Sequence, residues 1–591
     1  VAQPASSSSP NATRPAPRGG RLWLFRLIAV LVGMLPFVAL EAGLRWLGWF
    51  RPPPRSATVA RFSAQFPLFE RVGEIYRTLP AREPYFNQQQ FAVRKPANGF
   101  RAFVFGGSTV YGHPYSQETA FAKWLELELA AGNPARAVEV INCGGVSYAS
   151  YRLAPIVREV LDYQPDLIVL ALGHNEFLED RTYTPQQARS PWRRWLNERA
   201  ASLHTVTAGR RLLDAWPRRE TSKPDPSPGQ RPELLASEVS TQLDDARAGY
   251  ASYHRDPVWH AQVLAQFEDA VRAIIADCQA ARVPVLIVTL GSSLRDCPPF
   301  KSEHREGLTP EAEIRWQADF DAASALEESD PSGALARYRA AAEVDDQFAL
   351  LHFRLARLLD RQGDPVTARQ HYLRAKDEDI CPLRMLEAQY QFWLRLAAET
   401  RIPVVNAREL IEQLAPDGIP GHDLYLDHVH PTLGGHQRIA AAIATELERS
   451  GLFPRSTHWT AEQRRAAYRR HLESLPASYF PNGRRRVEWL DNWARRNRLA
   501  DEIVPRTGAE FFRQGVRQLD FADDDSAWKF FHDALARDPK TAAQLVAHAR
   551  ELREQGRPAA GQALLTRLAA LLNDPQLKTA LNAVAAELAQ P

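Results

Sequence analysis

Cysteine is scarce in this sequence: Cys143, Cys278, Cys297 and Cys381 are the full complement. No two of them form a CxxC pair, which argues against a thiolate zinc site. Cys143 ends a predicted strand and Cys278 lies in an apolar helical pattern, so both read as core thiols. Cys297 and Cys381 stand at the two ends of a helical insertion. A disulfide between them is one option, if those ends meet in an oxidising compartment. Net charge is scarce as well. Lys and Arg number 73 against 70 Asp and Glu, a formal +3. Such a balance supplies no general field for nucleic acid, and no nucleic-acid partner is expected. Acidic residues are missing from positions 1–20, which are rich in Ser, Pro, Ala and Arg and read as a disordered tail.

Long apolar runs are also rare, with one exception just after this tail, Leu22 to Leu40. A membrane helix needs about 20 largely apolar residues. Residues 21–48 meet that need if the stem of Arg26 snorkels to one interface and Trp46 and Trp49 mark the other. Pro36 is tolerated in such a helix. No A-x-A site follows, which favours an uncleaved single-pass anchor over a signal peptide. Arg14, Arg18, Arg21 and Arg26 set the N-terminus on the cytoplasmic side, against a weaker pull from Arg45, Arg51 and Arg55. The body is therefore expected on the periplasmic or extracytoplasmic side of the inner membrane.

What is present is a strand–helix alternation. Short β-branched runs at 100–105, 137–141, 166–172, 284–290 and 402–406 suit buried parallel strands. Helical patterns at 121–129, 151–163, 263–280 and 384–400 lie between them. This alternation implies an α/β domain whose parallel sheet is covered on both faces, with sites at the carboxyl ends of strands. Two insertions interrupt it. Residues 177–255 are charged and broken by Pro, with no clear placement. Residues 305–380 carry a repeat: Ala334, Tyr338, Ala341 and Asp345 recur as Ala368, Tyr372, Ala375 and Asp379, the spacing of a tetratricopeptide repeat. The expected divisions are a cytoplasmic tail (1–20), a transmembrane helix (21–48), a juxtamembrane connector (49–97), an α/β domain in two parts (98–304 and 381–455), the helical insertion (305–380), and a helical C-terminal region with degenerate repeats (456–591). Repeat helices can offer a groove to a protein partner, or serve as packing.

Four short motifs fall at predicted strand ends. The first is Gly106-Gly107-Ser108, a sharp turn that lifts a hydroxyl above the sheet and can aim backbone N–H groups at an anion. The second is Asn142-Cys143-Gly144-Gly145, where Gly144 lets a backbone N–H approach a bound oxygen. The third is Gly173-His174-Asn175-Glu176, where Asn175 offers a side-chain N–H. The last is Asp427-His428-Val429-His430-Pro431. A carboxylate three residues before an imidazole can accept from Nδ1 within one turn and leave the other nitrogen to take a proton.

Together and in this order, the four motifs resemble the SGNH superfamily of GDSL-type esterases and acyl hydrolases, over about 98–176, 284–296 and 400–450. The resemblance implies a flavodoxin-like parallel sheet. It also implies Ser108 as nucleophile, His430 as base, Asp427 as its partner, and an oxyanion hole from Ser108, Gly144 and Asn175. There are departures: Gly-Gly-Ser stands where the family has Gly-Asp-Ser, and Gly-His-Asn-Glu where Gly-x-Asn-Asp is usual. They point to a divergent branch whose substrate cannot be borrowed. The expected activity is cleavage or transfer of an acyl ester, with an acyl ester or acylated glycan as substrate and without a cofactor or metal. The combination with an N-terminal anchor and repeats resembles bacterial envelope members.

Two other readings stand beside this one. His422, Asp423, Asp427, His428 and His430 are crowded enough for zinc, but a metal site leaves the Ser, Gly and Asn motifs unexplained. A non-catalytic scaffold, with a vestigial hydrolase domain and partner-binding repeats, is the other. Around the mouth, His113 and His174 are candidate substrate contacts. So are Arg295 and Lys301, in the loop after the fourth strand, which could hold an anionic group, although such residues more often are solvated or pair locally.

Overall fold

The computed structural model describes residues 67–180, 253–497 and 504–571, most of 573–589, parts of 32–47, and residues 204 and 205. Two compact units emerge, one formed by 1–58 with 188–227 and the other by 59–187 with 228–591. In the first, residues 39–47 are helical, and Glu41 accepts the backbone N–H groups of His204 and Thr205 at 3.0 and 2.9 Å. Its large apolar residues Val32, Leu35, Phe37, Leu40 and Trp46 are exposed. Among the described residues no helix is long and apolar enough to cross a membrane. Most of the first half of the predicted span, 21–31, lies outside them, as do the tail and nearly all of 181–252.

The second unit is built on a five-stranded sheet of β4 (Phe100–Gly106), β5 (Val138–Gly144), β6 (Leu167–Ala171), β7 (Val285–Val288) and β8 (Val404–Val405). The spatial order is β5-β4-β6-β7-β8, all parallel. Renumbered within the sheet this is 2-1-3-4-5, the order of the flavodoxin-like class. Its strands are buried throughout the centre, with Phe103, Val104, Phe105, Ile168, Val169 and Leu286 wholly out of solvent. Burial on both faces is why β6 and β7 read as unbroken apolar runs. Helices α1 (Ser108–Tyr111), α2 (Phe121–Gly132), α3 (Ser150–Val160) and α4 (Pro257–Ala280) follow in chain order. Trp124, Leu125 and Leu129 of α2 and Val271 and Ile274 of α4 fill the main core.

The connector is more ordered than its sequence suggests. β1 (Phe69–Val72), β2 (Ile75–Thr78) and β3 (Gln90–Ala92) form a small antiparallel sheet. Its Phe69, Tyr76 and Phe91 rings pack with Phe103 and Tyr163. Glu159 pins its edge by accepting the N–H groups of Leu68 and Phe69 at 2.7 and 2.9 Å.

The insertion holds α5 (Pro310–Leu326), α6 (Pro331–Val344), α7 (Ala349–Arg361) and α8 (Pro365–Asp377), packed pairwise. The repeated positions Ala334, Tyr338, Ala341, Ala368, Tyr372 and Ala375 are all buried between these helices. Asp330 and Asp364 cap α6 and α8 by accepting the N–H groups of Gly333 and Thr367. The two ends of the insertion do meet, since Ile380 N–H donates to the Lys301 carbonyl at 2.9 Å. Cys297 and Cys381 share one buried cluster there with Phe300, Ile380 and Leu383. The chain then enters α9 (Glu387–Thr400) and α10 (Leu433–Arg449). Beyond these lie α11 (Gly508–Asp520), α12 (Asp524–Arg537), α13 (Thr541–Glu554), α14 (Pro558–Leu571) and α15 (Pro575–Leu588), around a core of their own.

Candidate active site

The turn after β4 is shaped by what its glycines lack. A Cβ on Gly106 would sit 2.2 Å from Val110 Cγ2 and 2.4 Å from the Ala171 carbonyl. A Cβ on Gly107 would sit 2.3 Å from the Asn175 amide nitrogen. Without those atoms, α1 folds back tightly and Asn175 closes on the turn. Ser108 opens α1, where the first N–H groups have no intrahelical acceptor. It is half-buried at the rim of a buried sheet.

His430 arrives on a tight hairpin. Leu426 N–H donates to the His430 carbonyl at 2.8 Å, and Thr432 N–H to the Leu424 carbonyl at 3.0 Å. Inside the bend, Asp427 Oδ1 accepts the N–H groups of Val429 and His430 at 2.9 and 3.0 Å. Its Oδ2 lies 2.6 Å from His430 Nδ1, and His430 Nε2 lies 2.7 Å from Ser108 Oγ. A carboxylate at Nδ1 fixes the tautomer, with the proton on Nδ1 and the Nε2 lone pair facing the hydroxyl. Burial would raise the Asp427 carboxyl, but the His430 and His428 imidazoles beside it outweigh burial and hold it well below the usual range.

On the opposite side of Ser108 the two remaining oxyanion candidates part company. Asn175 is half-buried, and its amide donates one N–H to the Tyr148 carbonyl at 3.2 Å. An amide nitrogen carries two protons, so a second stays available beside Gly107. Gly144 is otherwise. Its N–H donates to Asn142 Oδ1 at 2.9 Å, and a Cβ there would lie 2.2 Å from the Tyr111 nitrogen. Gly144 is thus a close-packing residue beneath α1, and its expected role as an oxyanion donor is corrected. Asn142, which the sequence did not single out, braces the turn by also donating to the Val110 carbonyl at 2.7 Å. Glu176 anchors α3 by accepting the Ser150 N–H at 3.0 Å and hydroxyl at 2.8 Å.

The peripheral candidates divide likewise. His113 stands against the base, its ring centroid 4.7 Å from that of His430. Its buried Nδ1 has no hydrogen-bond partner, and burial first, then the neighbouring His430 ring, lowers its pKa to about 3. His174 is buried, with Nδ1 accepting the Met385 N–H at 3.0 Å, so Nε2 carries its proton. Its pKa too is lowered to about 3, by burial first.

Arg295 and Lys301 are not at the mouth. Arg295 clasps Asp360 of α7 through Nε and Nη2 at 2.7 and 2.8 Å and donates to the Pro416 and Ile419 carbonyls. Lys301 donates to the Tyr253 carbonyl and pairs with Glu303 at 3.0 Å. Arg295 ties the insertion to the loop after β7 and Lys301 ties that loop to the segment before α4, so the substrate role considered for both is corrected. Their loop does reach the site through Phe300, whose ring meets that of His428 at 5.3 Å. Of the crowded residues weighed for zinc, His422 gives its N–H to Asp296, and Nδ1 faces the Tyr425 carbonyl at 3.3 Å. Among the described residues, the group able to converge on an ion is instead His113, Asp427 and His430. In it, both nitrogens of His430 already have partners.

No family model and no curated protein matches this sequence. Solved structures similar to it are GDSL-like lipolytic proteins. One, described as a lipolytic protein of the G-D-S-L family, comes from Desulfitobacterium hafniense. It is 9% identical over 59% of this chain and 99% of its own, with a TM-score of 0.25. A GDSL-like lipase from Bacteroides thetaiotaomicron is 10% identical over 59% of this chain and 88% of its own, with a TM-score of 0.23.

Proposed function

We propose that this protein is a serine ester hydrolase or O-acyltransferase that works through Ser108, His430 and Asp427. The observation that supports it is one unbroken chain of contacts, 2.7 Å from hydroxyl to imidazole and 2.6 Å from imidazole to carboxylate. It is assembled from residues 322 positions apart. That is the arrangement a nucleophile, base and orienting acid require.

In this reading, Ser108 Oγ attacks the acyl carbonyl while its proton passes to His430 Nε2. Asp427 stabilises the imidazolium without taking the proton. The developing oxyanion is met by the Ser108 N–H and the second Asn175 amide proton. The tetrahedral intermediate collapses as Nε2 returns the proton to the departing alcohol, leaving an acyl-Ser108. Water, or the hydroxyl of an acceptor such as a glycan, then gives up a proton to Nε2 and attacks the acyl group, and the second intermediate collapses with cleavage of the Oγ–acyl bond as Nε2 returns that proton to Ser108 Oγ.

Anchoring through 21–48, with the body outside the cytoplasmic membrane, and a protein partner for the helix pairs belong to the same reading. Carbonate-resistant sedimentation with membranes tests the anchor. The central test is Ser108→Ala, together with labelling by a fluorophosphonate. Turnover of a small acyl ester should fall by about 10⁴-fold or more while the fold persists, and Ser108 should be the labelled residue. A folded Ser108→Ala protein with undiminished turnover sinks the proposal.

A further inference from the structure

Helix α11 carries its charges in an unusual place. Glu510, Arg513, Arg517 and Asp520 recur at intervals of three and four, so they line one face of the helix. All of them are buried. The apolar residues of the same helix, Phe512, Val516 and Leu519, face the C-terminal helices and pack with Phe531 and Leu545. The charged stripe faces the α/β domain instead.

Each member of that stripe takes hold of a different part of the site's scaffold. Glu510 accepts from Arg357 and Arg361 of α7 at 2.7 and 3.2 Å. Arg513 makes a two-pronged bond to Asp296 at 2.7 and 3.0 Å, and Asp296 in turn accepts the His422 N–H at 2.8 Å. Arg517 Nε donates to the Leu426 carbonyl at 2.6 Å. Asp520 Oδ2 accepts the Leu433 N–H at 2.9 Å, and its Oδ1 is held by Arg557 at 3.1 Å. Leu426 immediately precedes Asp427, and Leu433 opens α10 just after the hairpin. Arg517 and Asp520, one turn apart on a single helix, therefore grip both stems of the hairpin that bears Asp427 and His430. The same helix end also holds the other side of His430. Tyr115, two residues after His113, donates its hydroxyl to the Asp520 carbonyl at 2.6 Å.

Docking a helical bundle needs none of this. Apolar side chains would join the surfaces without the desolvation that buried charges suffer. What Arg517 and Asp520 add is direction, since each fixes one backbone group beside the hairpin at one place. Resting on the proposed function above, we propose that Arg517 and Asp520 are positioning residues for His430. The C-terminal helices then form part of the catalytic apparatus.

The test uses the full chain with Arg517→Met, Arg517→Lys and Asp520→Asn. It adds Arg567→Ala, which breaks an exposed pair with Asp525, as a control. In Arg517→Met, kcat on a small ester should fall about ten- to a hundredfold, with KM within about twofold of the parent. The low-field proton resonance of His430 Nδ1–H against Asp427 should broaden or vanish. Arg517→Lys keeps one donor and should recover most of the loss. Asp520→Asn should fall between the two, and Arg567→Ala should match the parent. A folded Arg517→Met protein with the parent's kcat and resonance overturns the proposal. If that variant does not fold, a folded Asp520→Asn protein with the parent's kcat and resonance does the same. A parent that shows the resonance but cleaves no ester removes the proposed function alone, and the resonance in the variants then decides this inference.

Discussion

Adding one methyl group at Gly107 should disable the site without removing any catalytic group. Gly107 is extended with φ −83°, outside the left-handed region that demands glycine. The obstacle is Asn175, whose amide nitrogen would stand 2.3 Å from the new Cβ, where van der Waals contact needs about 3.5 Å. The amide must retreat by about 1 Å or rotate, breaking its bond to the Tyr148 carbonyl and leaving the oxyanion side of Ser108. Loss of one such donor costs about 2.7–4 kcal/mol of barrier, so kcat in Gly107→Ala should fall by about 10²–10³. KM should change little, because the donor acts on charge that develops in the transition state. Steady-state kinetics on a small chromogenic ester measures both, and Asn175→Ala should show a loss of the same size. In the double variant the space left by the amide accepts the new methyl, so the two losses should not add. Equal kcat in Gly107→Ala and the parent, or full additivity in the cycle, would refute the placement of Asn175 as the donor.

Acid should unfold this protein early. His113, His174 and His436 are buried with pKa values lowered from 6.5 to about 3, burial being the first cause in each. The unfolded chain binds protons on all of them between those values and the folded chain does not, so stability is complete above pH 6.5 and falls as pH drops toward 3. The cost at pH 5 is about 2 kcal/mol per histidine, and chemical denaturation from pH 7.5 to 4.5 should show it, with His436→Gln giving a shallower slope. Removing Arg295 should destabilise rather than impair binding. Arg295→Met strands the Asp360 carboxylate and should cost about 3–5 kcal/mol, seen as a lower melting temperature with KM unchanged in whatever folds. A raised KM at unaltered stability would return Arg295 to the substrate side.

Much of this molecule was legible as a string of residues. The central strands announced themselves because burial on both faces favours short, largely apolar runs, and observed strand limits fall within a few residues of those read from 100–105, 166–172 and 284–290. Ser108 and Asn175 stand where β4 and β6 give way to turns, as their motifs suggested, whereas Asp427 and His430 lie on a hairpin some twenty residues after β8. The pairs of helices in the insertion followed from Ala and Tyr recurring at fixed intervals. The small sheet of β1, β2 and β3 was not, because strands of three or four residues are too short to show a period.

Other features lay beyond any local pattern. A backbone N–H has the same sequence signature whether it faces a substrate or a neighbouring amide, so only packing decided that Gly144 serves Asn142. Arg295 could have met an anion or a carboxylate, and the approach of α7 decided for Asp360. Position in the chain put His113 near the mouth without showing that its ring would lie against His430, and it gave no hint that Arg517 and Asp520 would bracket the base hairpin from 91 and 87 residues away. Periodicity and composition report how each segment is buried. Which partner a buried polar group finds depends on segments remote in sequence, and that is settled only when they pack.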